Sequence, residues 1–430
     1  MSLQIRKTMW GVVVMASATV GLGQAGWADE VAELKAHLDA LQQQVNTQNA
    51  ELATLRQHVA QLGAGEPVGA KAPSTSMTDR VAALETQSKA METFSKIAWF
   101  GDFRLRFWEG TVNQDNIANQ HRARIRFRLG ATYPVTDQLE FGTRLATGGT
   151  DGDSANTTLG DLFAKDSFDL DRYYLRYKPL EELDLVGGKF ENPFWVTQAT
   201  WDVDLQPEGF AGGYTFKEVA GLLDSVEIRS GLYTVSELSA DNDATMLPTQ
   251  IVLKKKVAKD WKVDAGLAAY LWRKVSPIAV VSNATDSRSD FLSDFKVLDT
   301  IAKLTYEGWQ QPVSVLLEYG HNVGADQGVG DDLYWVETVV GKIKKPWDWQ
   351  LKYEFARIQQ DATLAFAAGN DSTPETNMYR HRWVAGVRVV KNTDLEMEYL
   401  VFRRDKTGTT STTDEDNWLS RIRLQVVAKF

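Results

Sequence analysis

The chain has no cysteine in 430 residues. That excludes a disulfide framework, a thiolate zinc site and a cysteine nucleophile. Histidine is scarce as well. His37, His58, His121, His321 and His381 are the only five, which leaves little for an imidazole-rich metal centre. Proline occupies 11 positions, so long segments run uninterrupted. Basic residues are outnumbered by acids, 47 to 57, for a net charge of −10. Nucleic acid, which rewards a basic surface, is therefore not an expected partner. No stretch of apolar residues is long and continuous enough to predict a membrane-spanning helix. Also missing are His-Glu-x-x-His, the phosphate-cradling Gly-x-x-x-x-Gly-Lys-Ser/Thr and Gly-x-Ser-x-Gly. His121 opens an arginine-rich segment and His381 lies between Arg380 and Arg382. Both read as ordinary strand-end residues. Neither an enzyme nor a cofactor is predicted.

What is present begins with an export signal over residues 1–28. Arg6 and Lys7 give a basic start, Val12 to Val20 a short apolar core, and Gly26-Trp27-Ala28 a cleavage site. Next comes a heptad segment over 29–62. Val31, Leu38, Val45, Leu52 and Val59 recur every seven residues, and Leu34, Leu41, Gln48, Leu55 and Leu62 interleave. Such an a/d seam predicts a coiled coil. Residues 63–96 read as a Gly/Pro/Ser/Thr-rich linker followed by a short helix.

From residue 97 onward the period falls from seven to two. Phe103-Arg-Leu-Arg-Phe107 and Ala123-Arg-Ile-Arg-Phe-Arg-Leu129 alternate apolar and basic side chains. On a strand these face opposite sides, so one face is hydrocarbon and the other is arginine. Sixteen such segments follow one another, at 98–109, 121–134, 138–148, 168–178, 182–190, 208–217, 224–236, 248–257, 261–272, 297–307, 311–321, 331–342, 347–358, 379–390, 394–404 and 417–430. Connections after even segments are short and those after odd segments are long and polar. That is the pattern of an all-β, closed antiparallel transmembrane barrel of about 16 strands over 97–430, preceded by the α-helical coiled coil. An even strand count puts both ends of the barrel on the short-turn side, with the coiled coil in the periplasm. Trp99 with Trp108, and Trp261 with Trp272, are expected as aromatic girdles at the two interfaces. Ile422, Leu424, Val426, Ala428 and Phe430 share one face of the last strand, which should close on the first.

Three groups could carry function. Arg104, Arg106, Arg122, Arg124, Arg126, Arg128, Arg144, Arg172, Arg176 and Lys178 fall on the polar face of the first four strands. On the lipid face each would cost about 2–4 kcal/mol near the midplane, so they are expected inside, as a pore-lining basic wall. Asp202, Asp204 and Glu208, in or just after the connection that follows the fifth strand, are candidate constriction acids facing that wall. Glu396 and Glu398, with Arg380 and Arg382, read as paired lumen charges on later strands, and Arg421, Arg423 and Lys429 add basic residues on the last strand, beside the first. The acidic loop Gly149-Thr-Asp-Gly-Asp-Ser154 lacks the ligand spacing of a calcium loop; weak divalent bridging to lipopolysaccharide suits it better, and no metal site is predicted.

Gly101-Asp-Phe-Arg-Leu-Arg106, His121-Arg-Ala-Arg-Ile-Arg126, Arg144-Leu-Ala-Thr-Gly148, Leu170-Asp-Arg-Tyr-Tyr174, Gly187-Gly-Lys-Phe-Glu-Asn-Pro-Phe194 and Trp201-Asp-Val-Asp204 carry a family likeness. The chain resembles the putative porins of Gram-negative bacteria, relatives of the general trimeric porins. The resemblance implies a sixteen-stranded, usually trimeric barrel around a water-filled pore, whose connection after the fifth strand folds into the lumen. It also implies that Phe430 is read by the barrel-assembly machinery. The expected function is passive diffusion of small hydrophilic solutes and ions across the outer membrane, with outer-membrane lipid and lipopolysaccharide as surroundings. Two alternatives stay open: an anion- or oxyanion-selective porin, and a structural tether acting through the coiled coil.

Overall fold

The computed structural model describes residues 91–430 except 112–118, 151, 238–242, 276–282, 284–290, 372–374 and 406–417, with scattered residues between 43 and 88. Two compact units divide the chain, Met1–Lys96 and Ile97–Phe430. In the first, Gln43, Asn46, Thr47, Ala50, Glu51, Ala53 and Thr54 are helical and exposed, as are residues 91–95. The heptad seam, the export signal and the linker over 63–78 lie outside the described residues.

The second unit is a barrel. Its strands are β1 (Ala98–Thr111), β2 (Asn119–Pro134), β3 (Leu139–Ala146), the two-residue β4 (Thr157–Thr158), β5 (Asp169–Leu180), β6 (Leu183–Lys189), β7 (Glu208–Val219), β8 (Leu223–Ser236), β9 (Ala244–Ala258), β10 (Trp261–Arg273), β11 (Lys296–Tyr306), β12 (Val313–Asn322), β13 (Asp332–Gly341), β14 (Trp349–Ile358), β15 (Met378–Val390), β16 (Thr393–Arg404) and β17 (Leu419–Lys429). Sixteen of them pair antiparallel with their neighbours in sequence, β3 passing directly to β5. The ring closes where β1 pairs with β17, from Asp102 opposite Lys429 to Gly110 opposite Arg421. Gly101 and Phe430 extend the closure by exchanging backbone hydrogen bonds of 3.0 and 3.1 Å. β4 is extra to the ring and lies against Arg124 and Ile125 of β2.

The two faces of the wall have opposite chemistry. Phe103, Phe107, Leu175, Leu232, Leu267, Leu298, Leu317, Leu351 and Met397 point outward and are exposed. Arg104, Arg126, Arg144, Arg172, Glu318, Glu354, Arg382 and Arg423 point inward and are buried. An apolar exterior around a polar interior is what a hydrocarbon surrounding requires.

The aromatic girdles are only half as expected. Trp99 is 62% exposed and Trp261 40%, but Trp108 and Trp272 are buried at 8% and 5%. The two-residue period decides this. Trp108 shares parity with Arg104 and Arg106, and Trp272 shares it with the buried Ala268 and Tyr270, so both enter the barrel. Outer-surface aromatics come instead from other pairs. Trp261, Tyr306 and Trp309 cluster at the short-turn end, with centroids 4.6 and 5.3 Å apart. Tyr319 and Tyr334 meet at the long-loop end at 5.3 Å.

Candidate functional site: the barrel interior

The basic wall is built by register. Arg104 on β1 lies opposite Arg126 on β2, and Arg106 opposite Arg124. Arg144 on β3 lies opposite Arg172 on β5. Alternation sends all of them inward, and with them Arg122, Arg128, Arg176 and Lys178. Much of this charge is matched locally. Asp102, itself on β1, accepts hydrogen bonds from Arg126 at 3.0 Å and Arg128 at 2.7 Å. Arg144 donates to Asp171 at 2.5 Å. Arg172 donates to Gln206 and Glu191, both at 2.7 Å. Asp184 takes Arg176 at 3.1 Å and Lys178 at 3.3 Å. Arg122 stands 5.3 Å over the Trp108 ring and Arg421 of β17 stands 4.7 Å over it. Cation–π contact thus places an aromatic between two guanidiniums in the wall.

The connection 190–207 enters the barrel. Ordering a loop costs about 1–2 kcal/mol per residue, so it needs anchors, and these are visible. Trp195 exchanges backbone hydrogen bonds with the Gln250 side chain of β9, at 2.9 and 2.7 Å. Its ring lies over Gly266 of β10, where an added Cβ would sit 3.3 Å from it. Glu318 of β12 accepts from Thr197 and, at 3.3 Å, from Thr200. Phe194 and Trp201 enter a buried cluster with Phe190, Tyr233, Met246, Tyr270, Trp272, Phe295 and Leu364. The Trp201 and Trp272 rings stack at 6.3 Å.

A second connection, 359–377, also turns inward, which the sequence reading did not anticipate. Its one turn of 3-10 helix, Ala365–Ala367, is held by Asn283. That side chain donates to the carbonyls of Gln360 and Thr363 and accepts from the Ala365 N–H, at 2.8, 2.9 and 2.8 Å. The two inward loops bind each other. Asp202 N donates to Ala367 O at 2.6 Å, and Gly369 N to Gln198 O at 2.7 Å. At the tip, Asp371 lies between Arg382 of β15 and Arg423 of β17, at 2.5 Å from each. Arg382 also donates to Glu354 at 2.6 Å, and Arg423 to Glu398 at 2.8 Å. The signal for this loop was in the sequence: Ala362-Thr-Leu-Ala-Phe-Ala-Ala368 is too apolar for an exposed connection.

The three candidate acids part company. Asp204 faces the basic wall, 3.6 Å from Arg128 and 3.9 Å from Arg126. Asp202 is buried and bridges the loops, accepting the N–H of Asp204 at 2.8 Å and of Asn370 at 3.0 Å. Burial pushes its carboxyl up to about 7, against the pull of those two backbone donors. For Asp371 burial acts in the same upward sense, but Arg423 and Arg382 overcome it and hold the carboxyl well below the usual range. Glu208 joins neither. It is the first residue of β7, shares parity with the outward Phe210, and pairs at 2.9 Å with Lys189. Its placement among constriction acids is corrected on that ground: two-residue alternation, not nearness in sequence, decides which side it takes.

The Putative porin family matches residues 106–290, which contain most of the stretches that carry the resemblance. No curated protein matches the chain. Among solved structures, Pseudomonas putida OprB at high pH is similar with a TM-score of 0.53 and 13% identity, covering 80% of this chain and 97% of that one. Salmonella typhi OmpF in complex with daunomycin aligns at 10% identity and a TM-score of 0.49, covering 78% and 97%. At such identity the OprB likeness establishes fold, and the fold is a porin-type barrel. The family likeness read from the sequence stands for residues 106–290, which match the Putative porin family.

Proposed function

We propose that this protein is a passive channel of the Gram-negative outer membrane, open to small hydrophilic solutes and ions that move down their gradients. One observation carries the reading: a closed ring with an apolar exterior holds inward-facing arginines opposite acids supplied by an infolded loop. An apolar plug would not need those charges, and a mere anchor would not need the loop. The basic wall named above is the proposed lining, with Asp204 and Asp371 as the acids that face it. Together they would set a transverse field that orients dipolar solutes and sorts ions. No cofactor is required. The proposed assembly is a homotrimer, after the general porins the sequence resembles.

The test is single-channel recording of the purified protein in a planar bilayer under a salt gradient. Stepwise conductance is expected, with three equal sub-steps per insertion. Folded barrels that pass no current would end the channel reading.

A further inference from the structure

We propose that Arg104, Arg106 and Arg124 form a binding site for a tetrahedral oxyanion, of the class of phosphate and sulfate. The proposal rests on the channel reading and names the solute class that the basic wall selects.

The three side chains differ from most of their neighbours in how their charge is met; Arg122, also without a carboxylate among the described residues, stands over the Trp108 ring instead. Arg126 and Arg128 have Asp102, Arg144 has Asp171, Arg172 has Glu191, and Arg423 has Asp371 and Glu398. Arg104, Arg106 and Arg124 have no carboxylate within salt-bridge distance among the described residues. Their partners are neutral: the Asn156 side chain for Arg104, Gln425 at 2.8 Å for Arg106, and the Asn156 carbonyl at 3.4 Å for Arg124. The three converge. Arg106 and Arg124 are register partners across β1 and β2. Arg104 and Arg124 both reach Asn156, which β4 carries in against β2. Arg104 is only 7% exposed, and the Nε atoms of Arg104 and Arg124 are buried without an acceptor.

Like charges gathered in a buried place repel one another and lose hydration, and each unpaired donor adds to the cost. An anion relieves all three penalties at once. Its class follows from the donors. A guanidinium is a planar fork that matches two oxygens of one anion. Three forks exceed the two oxygens and single charge of a carboxylate. A tetrahedral oxyanion offers four oxygens and up to two or more charges, and chloride offers no directional acceptors. Release is provided for as well. Asp204 acts electrostatically on Arg104 and Arg124, and Asp371 acts on Arg106. These acids weaken retention, as conduction requires of any site in a pore.

The experiment is chloride conductance of the full protein in a planar bilayer, titrated with potassium sulfate, potassium phosphate or potassium acetate at constant ionic strength. Sulfate and phosphate are expected to lower the conductance saturably, and acetate to leave it unchanged at equal concentration. Arg104→Gln and Arg124→Gln should each weaken the blockade about tenfold, the loss of one charge-assisted contact. Arg144→Gln, whose partner is Asp171, should move it by less than about threefold. Arg106→Gln serves if either of the first two does not form a barrel. Equal blockade by acetate overturns the class, and a conducting channel with no saturable blockade overturns the site while the channel reading stands. If no current passes, the channel reading falls instead. Calorimetric titration of the detergent-solubilised protein with potassium sulfate then decides the site: saturable heat sustains it and its absence overturns it.

Discussion

On β1 to β5 the inward face is a lattice of guanidiniums, each held at its tip by a carboxylate, an amide or a ring. On β6 to β11 the same face carries Val186, Ala211, Tyr233, Met246, Ala268, Tyr270, Trp272 and Val297, packed under Phe190, Phe194, Trp201, Phe295 and Leu364 from the loops. Both stretches belong to one closed ring with one exterior, which β12 to β17 complete. The difference lies in what reaches them from above. Infolded loops need a dry surface to pay for their ordering, and the later strands supply it. The early strands meet the polar side of the same loop, where Asp204 faces Arg128 and Gln206 accepts from Arg172. On the proposed channel reading, the aqueous path runs along the arginine side, and how firmly the loops hold the other side would set its width.

The sharpest way to break the comparison is to loosen the dry stretch. Trp201 stacks on Trp272 and meets Tyr233 edge-on at 6.0 Å. Trp201→Ala should cost the loop packing about 3–5 kcal/mol, as large-to-small changes in a core do. The expected readout is a larger and noisier single-channel conductance from barrels that still resist denaturation in detergent. Unchanged conductance would mean that loop 190–207 does not set the width.

A smaller effect comes from the charged inner face of β15 and β17, which Asp371 meets. Asp371→Asn keeps an acceptor beside Arg382 and Arg423 but removes the charge that both share. The loss should be about 1–3 kcal/mol, the range for a buried donor deprived of its best partner. More tellingly, the reversal potential under a salt gradient should move toward the anion limit. A shift toward cations would contradict the assignment of Asp371 to the acids that face the basic wall.

How much of this the sequence disclosed can be followed residue by residue. Strand positions were legible because two-residue alternation is a local property: the segment read as 98–109 is β1 at Ala98–Thr111, and that read as 261–272 is β10 at Trp261–Arg273. The inward direction of Arg104 or Arg126 followed from the same alternation plus the cost of charge in lipid. Applied consistently, it would also have sent Trp108 and Trp272 inward and Glu208 outward, so those errors came from weighing residue type above parity. Loop 359–377 was legible only as the apolar run Ala362–Ala368, and its pairings were not. Its fold depends on Asn283 and Asp202, 82 and 168 residues distant from Ala365 and Asn370, and no periodicity reports such pairings. Asp102 as the partner of Arg126 and Arg128 was equally hidden, since it depends on the register of β1 against β2, which neither segment sets by itself.

Asp202 offers the finest test, because it joins the two infolded loops to each other. Its carboxyl, raised to about 7 by burial, titrates in a range where an ordinary aspartate stays ionised. The sign follows from linkage. An acid whose folded-state value lies above its unfolded one takes up a proton on folding, so its favourable contribution is full in acid, below the unfolded value. That contribution is lost as pH rises through about 7. The loop clasp should therefore tighten toward acid. At the same time the lumen loses one negative charge, so the reversal potential should drift toward the anion limit between about pH 8 and about pH 6, on either side of that value. Asp202→Asn should flatten the drift while leaving the barrel closed, because the ring of strands does not depend on it and the amide oxygen keeps one of the two backbone donors, Asp204 or Asn370. A drift that survives the substitution would assign the titration to another group, and the clasp would then be insensitive to pH.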